Sequence, residues 1–264
     1  MSQIADQTYL QNEQYHTAAN LDARIALHKH FSTNRYQLPR WLFDQFAVPN
    51  KGAVLEVGAG SGNIWRENAD RTPADWQMLL TDFSPGMLRQ TRDVLAVLPH
   101  ARFAVADAQA LPLPDAAFDT VIANFMLYHV PDRSKAIAEF RRVLKPGGRL
   151  YAATNGGGHL RELHELLVRF GQNLEMWGGS ATSGFSLENG GEQLAAYFTD
   201  VTLHRYEDAI VVEETTPVVD YITSFASLHD QQRIALHAFV ADEIARQGGA
   251  LRITKAPGVF VAQT

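Results

Sequence analysis

The chain has 264 residues, a formal net charge of −6 and no cysteine. This length suits one α/β domain with additions, and the apolar share of 46% is enough for a sizeable core. The lack of cysteine excludes disulfides, thiolate zinc sites and a cysteine nucleophile, and the interleaved charges argue against a nucleic-acid-binding face. The first residues do not resemble a signal peptide and no apolar window is long enough to span a membrane, so we predict a cytoplasmic protein.

Residues 1–50 are predicted to be helical. Apolar residues between Thr17 and Phe31 recur at helical spacing, and the polar residues 32–34 end that helix. Pro39 suits the first turn of a second helix, which we expect to run to Phe46.

The next hundred residues alternate between strands and helices. The predicted strands are Ala53–Val57, Gln77–Thr81, Arg102–Ala106, Phe118–Asn124 and Arg149–Thr154. The predicted helices follow a glycine-rich loop to about Ala69, start at Ser84-Pro85, and span Ser134–Leu144. This alternation predicts a parallel, doubly wound sheet with right-handed crossovers.

The pattern is weaker after Thr154. We expect helices from residues 156–158 to about Trp177, around Glu192–Phe198 and over Asp230–Arg246, with strands at Val201–Tyr206 and Val259–Ala262. Two histidines, His159 and His164, are five residues apart and share no helix face, so they do not form a metal-binding pair. We interpret that segment as a solvated helix and predict no metal site.

A glycine-rich loop, Glu56–Asn63, leaves the first predicted strand. Its glycines follow the pattern G-x-G-x-G, whereas a dinucleotide loop needs G-x-G-x-x-G, and Asn63 stands where the last glycine would be. No Gly-Lys-Ser/Thr sequence ends the loop, which excludes a Walker phosphate site. The loop therefore favours close backbone approach to a ligand without a pyrophosphate.

Three acids follow successive strands. Glu56 ends the first strand, and Asp82 ends the second about 20 residues after the loop, where an α/β nucleotide site places a carboxylate on ribose hydroxyls. Asp107 comes just beyond the third strand, where its carboxylate suits an exocyclic adenine amine. Three acids without a basic residue in the loop indicate a cationic ligand that lacks phosphate. For Glu56 alone, helix capping or water binding is an alternative.

Four segments in order carry a family resemblance. They are Val54–Gly62, Thr81–Leu88, the group Asp107-Ala108 with Leu111-Pro112 and Phe118-Asp119, and Val143–Gly148. Together they resemble the class I S-adenosylmethionine-dependent methyltransferases, and most of all the small-molecule enzymes similar to ubiquinone and menaquinone C-methyltransferases. The resemblance covers residues 50–154 and, more loosely, the rest.

The resemblance implies an α/β fold, a Rossmann-like seven-stranded sheet whose last strand is antiparallel. It implies a helical lid (1–50), a cofactor-binding core (51–155), and a segment (156–264) with a helical substrate cap and strands that complete the sheet. The cofactor would be S-adenosyl-L-methionine, with glycines 58, 60 and 62 at its methionine moiety and Phe83 or Met87 at the adenine face. The implied contacts are Tyr15, Glu56, Gly58, Ala59, Gly60, Gly62, Asp82, Phe83, Met87, Asp107, Ala108 and Asn124.

The stretch after the fourth strand, residues 123–132, borders cofactor and substrate in such enzymes. His129 is a candidate general base because its ordinary pKa lies near neutrality, and Tyr128 is a second catalytic candidate. The alternatives are a backbone hydrogen bond for His129 and simple packing for Tyr128. The stretch lacks the Asn/Asp-Pro-Pro-Tyr/Phe motif of enzymes that methylate adenine bases, and the covalent pyrimidine mechanism needs a cysteine.

We therefore predict methyl transfer to an O, N or C nucleophile of a small molecule, with neither nucleic acid nor membrane as a partner. We expect a monomer or homodimer. The alternatives are methylation of a peptide or protein side chain, and a nucleotide-binding regulatory module without chemistry.

Overall fold

The computed structural model describes residues 26–96, 98, 100–171, 184–224 and 228–264. Its main sheet has seven strands, which are β1 (Ala53–Val57), β2 (Gln77–Asp82), β3 (Ala101–Val105), β4 (Phe118–Ile122), β5 (Leu144–Asn155), β6 (Asp200–Arg205) and β9 (Pro257–Gln263). Their order in the sheet is β3-β2-β1-β4-β5-β9-β6. Strands β1 to β5 pair in parallel, whereas β9 runs antiparallel to both β5 and β6. The predicted fold class, a seven-stranded sheet whose last strand is antiparallel, is confirmed.

The helices beside this sheet are α1 (Leu38–Asp44), α2 (Asn63–Arg66), α3 (Pro85–Val94), a 3₁₀ turn (Leu127–His129), α4 (Arg133–Val143) and α6 (Gly190–Ala195). Helix α3 begins as the sequence predicts, because the Ser84 hydroxyl accepts a hydrogen bond from the Met87 N–H at 3.3 Å and Pro85 occupies the first turn. Strand β1 is central and, apart from its first residue, fully buried, which explains its continuous apolar run.

A second hydrophobic core lies beside the main sheet. It is formed by α5 (Arg161–Arg169), α7 (Thr215–Thr223), α8 (Asp230–Arg246) and an antiparallel pair, β7 (Asp208–Val212) with β8 (Leu251–Lys255). Leu27, from the helical residues 26–30, packs into this core. We call this unit the cap. Among the described residues, no helix is both long and apolar enough to cross a membrane.

Several predicted elements differ from the observed ones. Helix α2 ends at Arg66 instead of continuing to Ala69, and the chain then makes turns held by Asn68. Strands β7 and β8 and helix α7 were not predicted, so the cap is not purely helical. The predicted helix from residues 156–158 to Trp177 is observed as Arg161–Arg169, and residues 157–160 form a turn ahead of it. Residues 172–177 of that prediction, like the predicted N-terminal helix before residue 26, lie outside the described residues. The division into three segments stays a prediction.

Candidate active site

The glycine-rich loop crosses the carboxyl ends of β1 and β2. The N–H groups of Gly58 and Ala59 both donate to the Thr81 carbonyl oxygen, at 2.8 and 2.9 Å, and the Gly60 N–H donates to Asp82 Oδ2 at 2.9 Å. These bonds fix the loop against β2. They also orient the Asp82 carboxylate toward the loop, so the loop and the second acid form one unit.

The three glycines serve different purposes, although all have a positive φ that favours glycine. A Cβ on Gly58 would lie 2.8 Å from Met126 Cβ, so this glycine permits close packing with the loop after β4. A Cβ on Gly60 would meet nothing within 4 Å, because this residue faces open space. A Cβ on Gly62 would lie 3.0 Å from Thr91 Cγ2, so Gly62 packs against α3 and does not line the cavity described below.

Glu56 is buried beneath this loop. Its Oε2 accepts a hydrogen bond from Trp65 Nε1–H at 2.5 Å. Burial raises the pKa of Glu56 to about 8; the Trp65 bond lowers it and the nearby Asp82 charge raises it further. A cationic group beside Glu56 would restore its ionised form. Trp65 is not predictable as a site residue from the sequence, because a tryptophan in a short helix has no distinctive spacing.

The other two acids lie over neighbouring strands. Asp82 Oδ1 accepts the Ser84 N–H at 2.8 Å, and burial raises the pKa of Asp82, against the lowering effect of its backbone hydrogen bonds. Asp107 Oδ1 accepts the backbone and side-chain N–H groups of Gln109 at 2.9 and 3.0 Å. Each carboxylate is thus held by the chain, and each lines the same cavity.

The segment after β4, which contains Asn124 and His129, lines the cavity between the acids and the cap. Phe125 adopts a left-handed conformation (φ 54°), a strained state that is found preferentially at ligand sites. The Tyr128 and His129 rings are 4.5 Å apart between centroids, and both line the cavity. The Asn124 amide nitrogen and oxygen are buried, and neither has a hydrogen-bond partner among the described residues. A buried amide without a partner can bind a polar group of a ligand or a water molecule.

These residues surround one continuous cavity of about 480 Å³. It brings together both catalytic candidates, Tyr128 and His129, and most of the predicted cofactor contacts. Gly62 is turned away from it, and Tyr15 lies outside the described residues. The predicted contacts that line the cavity are Glu56, Gly58, Ala59, Gly60, Asp82, Phe83, Met87, Asp107, Ala108 and Asn124.

The cavity continues to the cap, where it meets residues that sequence reasoning did not assign to a site. These are Ser32, Asn155, His159, Tyr221, Lys255 and His28. The interpretation of His159 as part of a solvated helix is wrong: it is 7% exposed and precedes α5. Lys255 was not recognised as a site residue because strand β8, which carries it, was not predicted.

The residues present fit S-adenosylmethionine. Gly60 leaves open space at the loop, three acidic side chains line the cavity, which suits a ligand that carries positive charge, and the Asn124 amide lacks a partner among the described residues. Among the described residues, no group of three or more His, Cys, Asp or Glu side chains is arranged to hold a metal ion.

Comparison with known proteins agrees with this geometry. Residues 55–152 match the family model described as "Methyltransferase domain". A ubiquinone/menaquinone biosynthesis C-methyltransferase of Marinomonas sp. (strain MWYL1) is 38% identical over 114 residues, which is 42% of this chain and 45% of that protein. A malonyl-[acyl-carrier protein] O-methyltransferase of Geobacter sulfurreducens is 35% identical over 160 residues, 61% of this chain and 58% of that protein. The chain thus spans about half the length of these curated relatives.

A solved structure supports the fold. Phosphoethanolamine N-methyltransferase 2 of Haemonchus contortus, in complex with S-adenosyl-L-methionine, has a TM-score of 0.61 and 18% identity. The match covers all of this chain and 60% of that one. At this identity the likeness concerns the fold alone. The matched family model and the curated relatives confirm the predicted resemblance: residues 55–152 are similar to a methyltransferase domain.

Proposed function

We propose that the whole chain is an S-adenosylmethionine-dependent methyltransferase that acts on a small-molecule acceptor. The observation that supports this proposal most is the continuous cavity, which is lined both by the three acids and by cap residues such as Tyr221 and Lys255. Its volume of about 480 Å³ falls within the roughly 300–1,000 Å³ of small-molecule sites. An acceptor that enters beneath the cap reaches the Asn124–His129 stretch from the side opposite the acids.

The chain's own residues have simple tasks in such a reaction. The bound cofactor supplies a methyl group already activated on a sulfonium. Glu56, Asp82 and Asp107 then have to bind and orient its polar groups, and the walls have to align the acceptor and exclude water. A base is needed only if the acceptor must lose a proton, and His129, which lines the cavity, is the candidate for that role.

The names of the relatives leave the acceptor atom open. One is named as a C-methyltransferase and the other as an O-methyltransferase, and each shares only part of its length with this chain. We therefore propose an O, N or C nucleophile and in-line transfer. A cytoplasmic location and a monomeric or homodimeric state also stay predictions.

The test has two stages. Calorimetry with S-adenosylmethionine, S-adenosylhomocysteine and NAD should show binding of both sulfur ligands and not of NAD. Incubation of cell extract with methyl-labelled cofactor should then place label in the low-molecular-mass fraction. Gly60→Ala is the matched variant: its new methyl group enters the open space of the loop and should weaken binding of both sulfur ligands.

Three results would count against the proposal. Binding of NAD alone would reject the cofactor assignment. Label confined to precipitated protein would indicate a peptide or protein acceptor. Binding of both sulfur ligands without any labelled product would favour a regulatory module.

A further inference from the structure

The cavity has opposite chemical character at its two ends. In sheet order, Asp107, Asp82 and Glu56 lie at the carboxyl ends of β3, β2 and β1, whereas Asn155 lies at the end of β5 and pairs with Pro257 at the start of β9. Neighbouring strands are about 4.8 Å apart, so the five steps from β3 to β9 span roughly 24 Å. The acids therefore lie at one end and the β8–β9 junction lies at the other, which we call the cap end.

A buried ion pair lies at the cap end. Lys255 Nζ contacts Asp208 Oδ2, and their side chains are 4% and 0% exposed. Lys255 lines the cavity and Asp208 does not.

Asp208 is held by protein donors on its own side. It accepts hydrogen bonds from the Ser32 hydroxyl, from Thr33 Oγ1 at 3.1 Å, from the Asn34 N–H at 2.9 Å and from the Ala209 N–H at 2.8 Å. Burial raises the pKa of Asp208, but the hydrogen bonds from Lys255, Ser32 and Asn34 and the charge of Lys255 together lower it by more, so it stays below its ordinary value. The carboxylate is thus satisfied within the protein. The cation is the member of the pair that faces the cavity.

Two histidines complete the cap end. The His28 and His159 rings stack at 5.8 Å between centroids and 9° between planes. Burial, reinforced by Lys255, lowers the pKa of His28 to about 3, and burial with the neighbouring His28 and Lys255 lowers that of His159 well below its ordinary value. Both rings are therefore neutral near pH 7.

The tautomer of His159 follows from one hydrogen bond. Its Nδ1 accepts the Ala256 N–H at 3.2 Å. In a neutral imidazole the proton then resides on Nε2, which makes His159 a hydrogen-bond donor at that atom. A neutral imidazole used in this way polarises an oxygen instead of removing a proton. The cap end therefore offers an N–H donor and an ammonium group together.

We propose that the cap end binds a negatively charged oxygen of the acceptor, a carboxylate or a phenolate, through Lys255 and His159. The acids at the opposite end hold the cationic cofactor, so each end matches the charge of its ligand. This inference rests on the proposed function and deepens it, because it names the chemical class of the acceptor.

Paired probes test this assignment in protein saturated with S-adenosylhomocysteine. Calorimetry compares benzoate with benzamide for a carboxylate, and 4-nitrophenolate with 4-nitroanisole for a phenolate. A charge-assisted hydrogen bond should favour the anion of at least one pair by about tenfold or more. A preference for benzoate over benzamide indicates a carboxylate acceptor, and a preference for 4-nitrophenolate over 4-nitroanisole indicates a phenolate acceptor.

Matched variants test whether Lys255 and His159 cause the preference for the anion. His159→Asn keeps an oxygen that accepts the Ala256 N–H but removes the Nε2 donor, whereas His159→Gln retains a donor near that position. We expect the first to reduce the preference for the anion and the second to restore part of it. The double variant with Lys255→Met and Asp208→Asn removes both buried charges together, which avoids leaving one charge unpaired, and should abolish the preference.

These experiments distinguish failure of this inference from failure of the proposed function. Failure of the wild-type protein to bind S-adenosylhomocysteine would reject the proposed function. Normal binding with neutral probes as tight as their anions would overturn the inference at the cap end alone, and this comparison needs no variant. Anion preference that survives in the double variant, shown to be folded by its unchanged S-adenosylhomocysteine affinity, would also overturn it.

Discussion

The most direct physical test concerns the buried Glu56 carboxyl in the ligand-free protein. The change is Glu56→Gln, which keeps an oxygen to accept the Trp65 Nε1–H bond but cannot ionise. The ordinary pKa of 4.5 applies in the unfolded chain, and burial raises the folded value to about 8. Between these two values the folded protein holds a proton that the unfolded chain has lost. The wild type therefore loses stability as the pH rises through this window.

The magnitude follows from the size of the shift. A difference of 8 − 4.5 = 3.5 pKa units corresponds to about 5 kcal/mol at high pH, since each unit is worth about 1.4 kcal/mol. Between pH 5 and pH 9, Glu56→Gln should gain about 4 kcal/mol of unfolding free energy relative to wild type. Other titrating groups are common to both proteins, so most of their effects cancel in this difference.

Urea unfolding of both proteins at pH 5, 7 and 9, without ligand, measures the effect. A stability difference that does not change with pH would refute the assignment of Glu56 as a buried, protonated carboxyl. A second readout uses S-adenosylhomocysteine, whose ammonium group should restore the ionised form. At pH 7 wild-type binding should release about 0.9 of a proton, seen by calorimetry in buffers of different ionisation enthalpy, and binding to Glu56→Gln should release none from this site.

Three further predictions concern the same cavity. Asp82→Asn should weaken S-adenosylhomocysteine binding by about 1–3 kcal/mol in calorimetry, and unchanged affinity would reject the ribose assignment. Gly62→Ala should lower the unfolding free energy by roughly 1–2 kcal/mol through its positive φ, leaving ligand affinity nearly intact, whereas Gly60→Ala should weaken ligand binding as well. Equal loss of affinity in both would contradict the distinct roles of these glycines. His129→Asn should reduce kcat by less than about tenfold in the labelled-methyl assay, and a loss of 10²–10⁴ would identify a general base.

The sequence predicted the sheet because its signals are local. A buried parallel strand such as Ala53–Val57 reads as an apolar run, and Ser84-Pro85 signals a helix start without help from distant residues. The proximity of acids at strand ends can be predicted equally well, since the carboxyl ends of parallel strands meet at one edge of the sheet. For this reason Glu56, Asp82 and Asp107 were predicted to lie together, and they line one cavity.

The cap could not be predicted in this way. Strand β7 pairs with β8 across about forty intervening residues, and neither strand is long enough to show a distinctive pattern alone. The role of His159 depends on a bond to Ala256, nearly a hundred residues away in the chain. Its burial and neutral state therefore cannot be read from its neighbours in sequence.

The sequence by itself determined the parallel strands of the main sheet, the glycine-rich loop and the acidic end of the cavity, because strand positions and strand-end chemistry follow from local patterns. The seven-stranded sheet with its antiparallel last strand followed from the family resemblance. Tertiary structure decided the rest. Only the packing against α3 shows that Gly62 serves the fold and Gly60 faces the ligand space. Only the pairing of β7 with β8 places Lys255 against Asp208 and turns the cation toward the cavity, because a buried charge is oriented by partners that the chain brings from far away.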